Sequence, residues 1–352
     1  MPNETLTPKE RWLAVFRHEK PDRIPMDYWG TEEATLKIMK HLGAATKREM
    51  FEKMRVDFTA EVKPEYVGPA LPELTDVFGC RIRWVDYGSG AYDECVFHPL
   101  AEYGSVAEIK RNYKWPDPEW WDYGTLVQQL RGYERYPIKG GGSEPFLIYK
   151  NLRGPELAFM DMIENPEIVH YCLDKLFGLA YENTCRILET IPGKVAFTYV
   201  AEDMGGQTDL MFSLKHIREF LLPGMKRIMD LTHQAGAYVY HHNDGSCRRI
   251  IPEMIEAGID LLNPLQWRCP GMEREGLKQD FGSRIVLHGG VDNQYTLPFG
   301  SVAEVRQEVL DDIRILGEGG GYILAPCHNI QPITPPENVV AMYETCYENG
   351  WL

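Results

Sequence analysis

Ala237-Tyr238-Val239-Tyr240-His241-His242-Asn243-Asp244-Gly245 is an apolar run that ends abruptly in imidazoles, an amide and a carboxylate. Gly321-Tyr322-Ile323-Leu324-Ala325-Pro326-Cys327-His328-Asn329 has the same form, with a thiol at the break. Short apolar runs bounded by Gly on one side and polar groups on the other read as strands buried on both faces, the kind that build parallel sheets. In one parallel barrel their C-terminal ends open at a single mouth, where His242, Asp244 and Cys327 can converge on a borderline-soft cation such as zinc. The plainer reading of the same residues has His242 capping a loop and Cys327 as one more buried cysteine.

Outward from these two runs, strand and helix alternate strictly. Strands at 194–200, 237–242, 260–265, 284–290 and 321–326 are each followed by a helix, at 213–235, 247–257, 272–280, 301–317 and 336–348. Such units imply a parallel sheet with crossover helices. Three earlier strands, Ile24–Trp29, Phe58–Val62 and Phe146–Tyr149, bring the total to eight, which favours a closed (β/α)8 TIM barrel of class α/β as one domain over 1–352. An open dinucleotide-type sheet would need a Gly-rich fingerprint directly after a strand, and none is present; Gly140-Gly141-Gly142 lacks the Lys-Ser/Thr of a phosphate loop and reads as a flexible turn. At the N-terminus, Thr7-Pro8-Lys9-Glu10 opens a helix with Trp12, Val15 and Phe16 on one face. Residues 64–118 are rich in Gly, Pro and aromatics and fit no long helix, so they read as an excursion that packs over the barrel mouth as a lid.

Composition narrows the function. The chain has 352 residues, 44% of them hydrophobic, with 52 acidic against 37 basic side chains and a net charge of −15. That balance argues against nucleic acid or an anionic membrane as a partner. Eight cysteines without CxxC or framework spacing suit a reducing cytoplasm, and the N-terminal residues lack the basic and apolar regions of an export signal. A soluble cytoplasmic enzyme is expected, and a homodimer is compatible with that reading.

Catalytic groups of a barrel belong just past the strand ends. Those positions hold Glu202 and Asp203, His242 and Asp244, Asn263 and Gln266, His288 and Asp292, and Cys327 with His328. Glu202 and Asp203 are adjacent, so one is expected to face the mouth and the other to turn away. Asp203, Asp244 and Asp292 are assigned to catalysis, and His242 and Cys327, with a carboxylate such as Glu202, to the metal. Tyr28 and Trp29 after the first strand, with Asn263 and Gln266, are assigned to the substrate.

The blocks LTPKERWLAVFRHEKPDRIP, AEDMGGQ, YHHNDG, IEAGIDLLNPLQ, GGVDNQYTLPFG and APCHNIQPITPPEN resemble the uroporphyrinogen decarboxylase-like superfamily, and more closely its corrinoid-dependent methyltransferase branch. The resemblance spans nearly the whole chain and implies the (β/α)8 barrel. The decarboxylases carry an arginine-rich segment after the first strand for propionates; here Met26-Asp27-Tyr28-Trp29-Gly30 stands instead, which suits an aromatic donor better than a polyanionic tetrapyrrole. Thiol-methylating members bind zinc through His-x-Cys and a distant Cys. His242 matches the first ligand and Cys327 the last, while Asp244 replaces the middle cysteine, and a harder ligand set favours oxygen over sulfur. The resemblance therefore implies a zinc-assisted O-demethylase component, moving methyl from a methoxylated aromatic to the cobalt(I) of cobalamin. That corrinoid would be brought by a separate, transiently docked carrier protein, because the Asp-x-His-x-x-Gly pattern of such carriers is absent. The alternative is a metal-free decarboxylase of a tetrapyrrole or small aromatic acid, acting through Asp203 or Asp292.

Overall fold

In the computed structural model, which describes residues 4–86, 88 and 91–352, seven parallel strands pair in chain order. They are Ala60–Val62, Ile138–Ser143, Phe197–Ala201, Tyr238–His242, Leu261–Leu265, Val286–Val291 and Tyr322–Pro326. Met1–Asn3 and, within the 64–118 excursion, Tyr87, Ser89 and Gly90 lie outside the described residues. The eighth stave comes from 24–27. Leu324 N donates to Pro25 O and Asp27 N to Leu324 O, both at 2.9 Å, while Asp57 N donates to Met26 O at 2.7 Å. This joins the last strand to the segment that leads into Ala60–Val62 and closes the barrel. Pro25 has no N–H to give a ladder, so the first stave is held by single bridges rather than by a regular strand.

The third strand corrects the sequence reading. The triple glycine lies inside the strand Ile138–Ser143, and Phe146–Tyr149 belongs to the helix Pro145–Arg153. Pro145 opens that helix, and Phe146, Tyr149 and Leu152 are buried at a spacing of three, a pattern that four apolar residues alone do not distinguish from a strand. Gly142 is there because this strand presses against its neighbour at an irregular register, whereas Gly140 and Gly141 lie under Ile187 and Thr184 of the helix Pro166–Thr190. A Cβ on Gly142 would lie 1.7 Å from Tyr199 O, and φ is +92°. Gly142→Ala is expected to destabilise the barrel by about 3 kcal/mol or more, since strain and overpacking add at one position. Chemical unfolding measures it, and a change below about 0.5 kcal/mol, the range of neutral surface substitutions, would contradict the close approach.

The helix Pro8–Phe16 begins at Thr7, in a capping box with Glu10. Its apolar face plugs the N-terminal end of the barrel: Trp12 stacks on Phe197 at 5.5 Å and Phe16 on Tyr238 at 4.5 Å, in a cluster with Tyr240, Leu261, Val286 and Ile323. With the floor sealed, chemistry is confined to the strands' C-terminal ends.

The excursion leaves from one of those ends, after Val62. It contains the antiparallel hairpin Arg81–Asp86 with Ala91–Phe97 and the helix Val106–Asn112. Buried Arg153 anchors it, donating to Leu100 O at 2.5 Å and Tyr103 O at 2.7 Å while paired with Asp161 at 2.6 Å. Pro64 reaches a cavity beside the mouth, Leu100 N donates to Leu152 O of the helix Pro145–Arg153 at 2.9 Å, and the helix Val106–Asn112 packs on the helix Pro166–Thr190. Among the described residues, no helix is long and apolar enough to cross a membrane.

Candidate active site

Four staves send a polar side chain into the barrel, and the four form one hydrogen-bonded chain. Asp27 Oδ2 lies 3.1 Å from His288 Nε2, His288 Nδ1 lies 2.7 Å from Asn263 Nδ2, and Asn263 Oδ1 lies 2.7 Å from His242 Nδ1. The carboxylate fixes the direction, because ionised Asp27 only accepts. His288 therefore donates from Nε2, its bare Nδ1 accepts from the Asn263 amide, and Asn263 Oδ1 accepts from His242 Nδ1–H. His242 is left with a bare Nε2 lone pair turned toward the mouth, the tautomer that a metal ligand needs.

Around that nitrogen, Asp203 Oδ1 lies at 3.6 Å and Asp244 Oδ2 at 3.8 Å, and Asp244 Oδ2 is 3.4 Å from His328 Nε2. One ligand atom each from Asp203, His242 and Asp244 fall within 4.8 Å of one another. Ligands about 2.1 Å from a tetrahedral zinc stand roughly 3.4 Å apart, so these spacings match a shared cation better than direct hydrogen bonds. Asp244 Oδ1 is buried without a hydrogen-bond partner, the mark of a group awaiting one. Burial opposes charge on His328, but the Asp244 carboxylate prevails and raises its pKa above the ordinary histidine value. His241, one residue back, faces the other way: its Nδ1 meets Val200 O at 2.7 Å, and burial lowers its pKa to about 4.

A cavity of about 220 Å³ adjoins this cluster through wall residues Trp29, Tyr199 and Asn263, which contact His242. Tyr28, Trp29, Phe197, Tyr199 and Tyr240 supply its rings, with Lys139, Asn263 and His288 among the polar walls. Trp29 joins cavity to cluster, its ring 5.3 Å from that of His242 and 4.7 Å from that of His328.

The structure brings together Asp203, His242, Asp244, Tyr28, Trp29 and Asn263. It places the other expected residues elsewhere. Cys327 Sγ donates to Leu265 O at 2.8 Å inside the wall, and burial raises its pKa well above the usual thiol value. Successive side chains of an extended chain alternate, so the residue facing the cluster is His328. Glu202 is buried, accepts from Phe146 N at 2.8 Å, and is pushed far up in pKa by burial, which favours a neutral acid over an anionic ligand. Asp292 accepts from Tyr295 N and Thr296 N at 3.0 Å and from Arg268 Nε at 2.8 Å, and so organises a turn. Gln266 Oε1 accepts from Gly245 N at 2.5 Å and steadies the Asp244 loop. Sequence reasoning missed Asp27, Lys139 and Glu144; the strand-end rule finds the last only when the third strand is placed at Ile138–Ser143.

Asn263 touches no cation position itself, yet it fixes the His242 tautomer. Asn263→Ala is expected to weaken zinc binding about 10- to 100-fold, measured by competition with a chromophoric chelator. Unchanged affinity would mean that His242 needs no orienter.

The uroporphyrinogen decarboxylase (URO-D) family profile matches residues 7–349. The uroporphyrinogen decarboxylase of Nitrosococcus oceani is 25% identical over 223 residues, 60% of this chain and 54% of that one, so the chain spans about half the length of this relative. The methylcobamide:CoM methyltransferase MtaA of Methanosarcina barkeri is 23% identical over 346 residues, 96% of each chain. A methyltransferase from Methanosarcina mazei superposes with a TM-score of 0.70 at 19% identity, covering 97% of this chain and 99% of that one, a likeness of fold. From its capped first helix to its last, the chain belongs to the uroporphyrinogen decarboxylase (URO-D) family, and its full-length likeness runs to the family's corrinoid methyltransferase branch.

Proposed function

We propose that this protein moves a methyl group from an aryl methyl ether to the cobalt(I) of a corrinoid held by a separate carrier protein. The observation that carries the reading is the small aromatic cavity whose walls Trp29, Tyr199 and Asn263 also touch His242, the centre of the cluster. A cavity of about 150 Å³ accommodates benzene, so 220 Å³ suits one substituted ring, and its walls carry one basic side chain, Lys139, where a tetrapyrrole would bring several carboxylates. This disfavours the decarboxylase alternative for a tetrapyrrole acid.

His242, Asp244 and His328, with Asp203 alongside, are the residues that would hold zinc. Bound there, zinc would act as a Lewis acid on the ether oxygen, whose electron pair otherwise makes phenoxide a poor leaving group. The chain's own part is positioning. Tyr28, Trp29, Tyr199 and Tyr240 clasp the ring, and the sealed floor leaves the methyl group facing the mouth. The methyl carbon departs without bonding electrons, and the oxygen keeps the pair and becomes the phenol once protonated. Half-buried Glu144, whose pKa is raised by burial and by the Asp203 and Asp244 charges against the pull of His242 and Lys139, is the group best placed to supply that proton. The carrier docks transiently at the mouth. With a net charge of −15, the chain suits a complementary basic patch, and the transfer rate should fall with salt.

The test is methyl transfer from methoxybenzenes to reduced corrinoid carrier, followed by the cobalt absorption change, with chelator-treated and zinc-restored protein in parallel. The reading predicts turnover that is lost with the metal and regained with zinc. It fails if neither free cobalamin nor any carrier is methylated while the protein alone releases carbon dioxide from an aromatic acid.

A further inference from the structure

We propose that the aromatic donor carries an anionic substituent, a carboxylate or equivalent, and that Lys139 is the side chain that receives it. The inference rests on the aryl-ether reading for the word donor, but its evidence is separate from the metal cluster. Among the described residues lining the 220 Å³ cavity, Lys139 is the one lysine or arginine. It stands where this cavity meets a second one of about 330 Å³, whose walls include Glu61, Lys63, Gly142 and Glu144. Lys139 and Tyr199 line both. A ring in the first cavity can therefore extend a substituent past Lys139 into the second.

The direct ion pairing of Lys139 leaves its ammonium able to receive an anion at that partition. Glu61 is the carboxylate paired with Lys139, at 3.2 Å, but it is also paired with Lys63 at 2.7 Å. Two ammonium groups share that one carboxylate, and Glu144, the other acid of the second cavity, makes no direct ion pair with Lys139, so among the described residues the Lys139 ammonium is paired with Glu61 alone and only in part. The cavity's other ionised wall group, Asp27, is engaged by His288, and its backbone oxygen accepts from Tyr343. An anionic end directed toward Lys139 leaves the opposite end of the ring for the His242 cluster. Five aromatic rings would by themselves suit a quaternary ammonium donor. The Tyr199 face is already taken, however: Lys139 Nζ lies 4.1 Å from its ring centroid and would repel a second cation.

Three probes with the same methoxy ring separate the cases: para-methoxybenzoate, methoxybenzene and para-methoxyphenyl-trimethylammonium. Binding to the full chain is read by calorimetry and by Trp fluorescence, since Trp29 lines the cavity. A charge-assisted contact predicts that the benzoate binds at least about tenfold more tightly than methoxybenzene. Lys139→Met should abolish that ratio, Lys139→Arg should keep it, and Glu61→Gln, which frees the ammonium, should increase it. Thermal unfolding of each variant accompanies the titrations; if Lys139→Met does not fold, the ratio in the parent and its rise in Glu61→Gln decide. Equal affinity for benzoate and methoxybenzene, preference for the ammonium probe, binding of none of the three, or a ratio that survives Lys139→Met overturns the proposal. A benzoate preference without methyl transfer from para-methoxybenzoate would keep the Lys139 site and sink the aryl-ether reading; transfer without charge preference would do the reverse.

Discussion

Asp57→Ala is expected to lower the unfolding free energy by about 3–5 kcal/mol, because it leaves two buried guanidinium groups without their shared counter-ion. Asp57 is 1% exposed, Arg11 0% and Arg23 2%. Arg23 reaches the carboxylate at 2.7 and 3.1 Å, Arg11 binds its Oδ1, and Met26 N donates to it at 3.0 Å. The backbone oxygen of the same residue accepts from Trp12 Nε1 at 2.9 Å. One residue thus ties the floor helix to the stave that closes the barrel. Arg11 keeps Asp22 at 2.7 Å and Arg23 keeps Glu4 at 2.9 Å, so the charges are not wholly orphaned and the lower half of the range applies. Against a typical total of about 5–15 kcal/mol, that is a large fraction. Urea unfolding reads it, with Asp57→Asn as the variant that removes charge and keeps shape; a loss under about 1 kcal/mol would show that Asp22 and Glu4 suffice.

Metal content separates two neighbouring residues that the sequence alone cannot rank. Asp244→Ala removes the carboxylate standing between both imidazoles, at 3.8 Å from His242 Nε2 and 3.4 Å from His328 Nε2. Zinc affinity should fall by more than about 100-fold, since loss of an outer-shell partner alone costs 10–100-fold, and methyl transfer should fall with it. His328→Ala should act in the same direction. Cys327→Ser should leave zinc in place, because Sγ is committed to Leu265 O. Elemental analysis after gel filtration decides the matter: full zinc in Asp244→Ala, or loss in Cys327→Ser with full retention in His328→Ala, would restore the cysteine to the metal.

The five downstream strand-helix units were legible because each strand is buried on both faces and each break in the apolar run is sharp. Tyr238–His242, Leu261–Leu265 and Tyr322–Pro326 fall within the expected runs, and Phe197–Ala201 and Val286–Val291 run one residue past theirs. Ile138–Ser143 was not legible, because a strand of glycines chosen for close approach has no apolar signature. In the site, the strand-end rule pointed to His242, Asp244 and Asp203. What it could not supply was parity: whether Cys327 or His328 turns inward depends on where the extended chain stops alternating after Pro326. Nor could it pair Asp27 with His288, which are 261 residues apart and meet once the ring of staves closes.

The first stave, with its single bridges, is the barrel's kinetic weak line. Five residue pairs join Phe197–Ala201 to Tyr238–His242, whereas isolated contacts at Met26 and Gly30 join the first stave region to Leu324 and Ile330. Opening free energy follows local bonding, so the amides of Asp27 and Thr31 should exchange with deuterium well before those of Val239 and His241. Tyr28 and Trp29 ride on this same segment. A ring lodged against them should slow exchange there selectively, which would make residence time in the cavity a readout of how often the seam breathes.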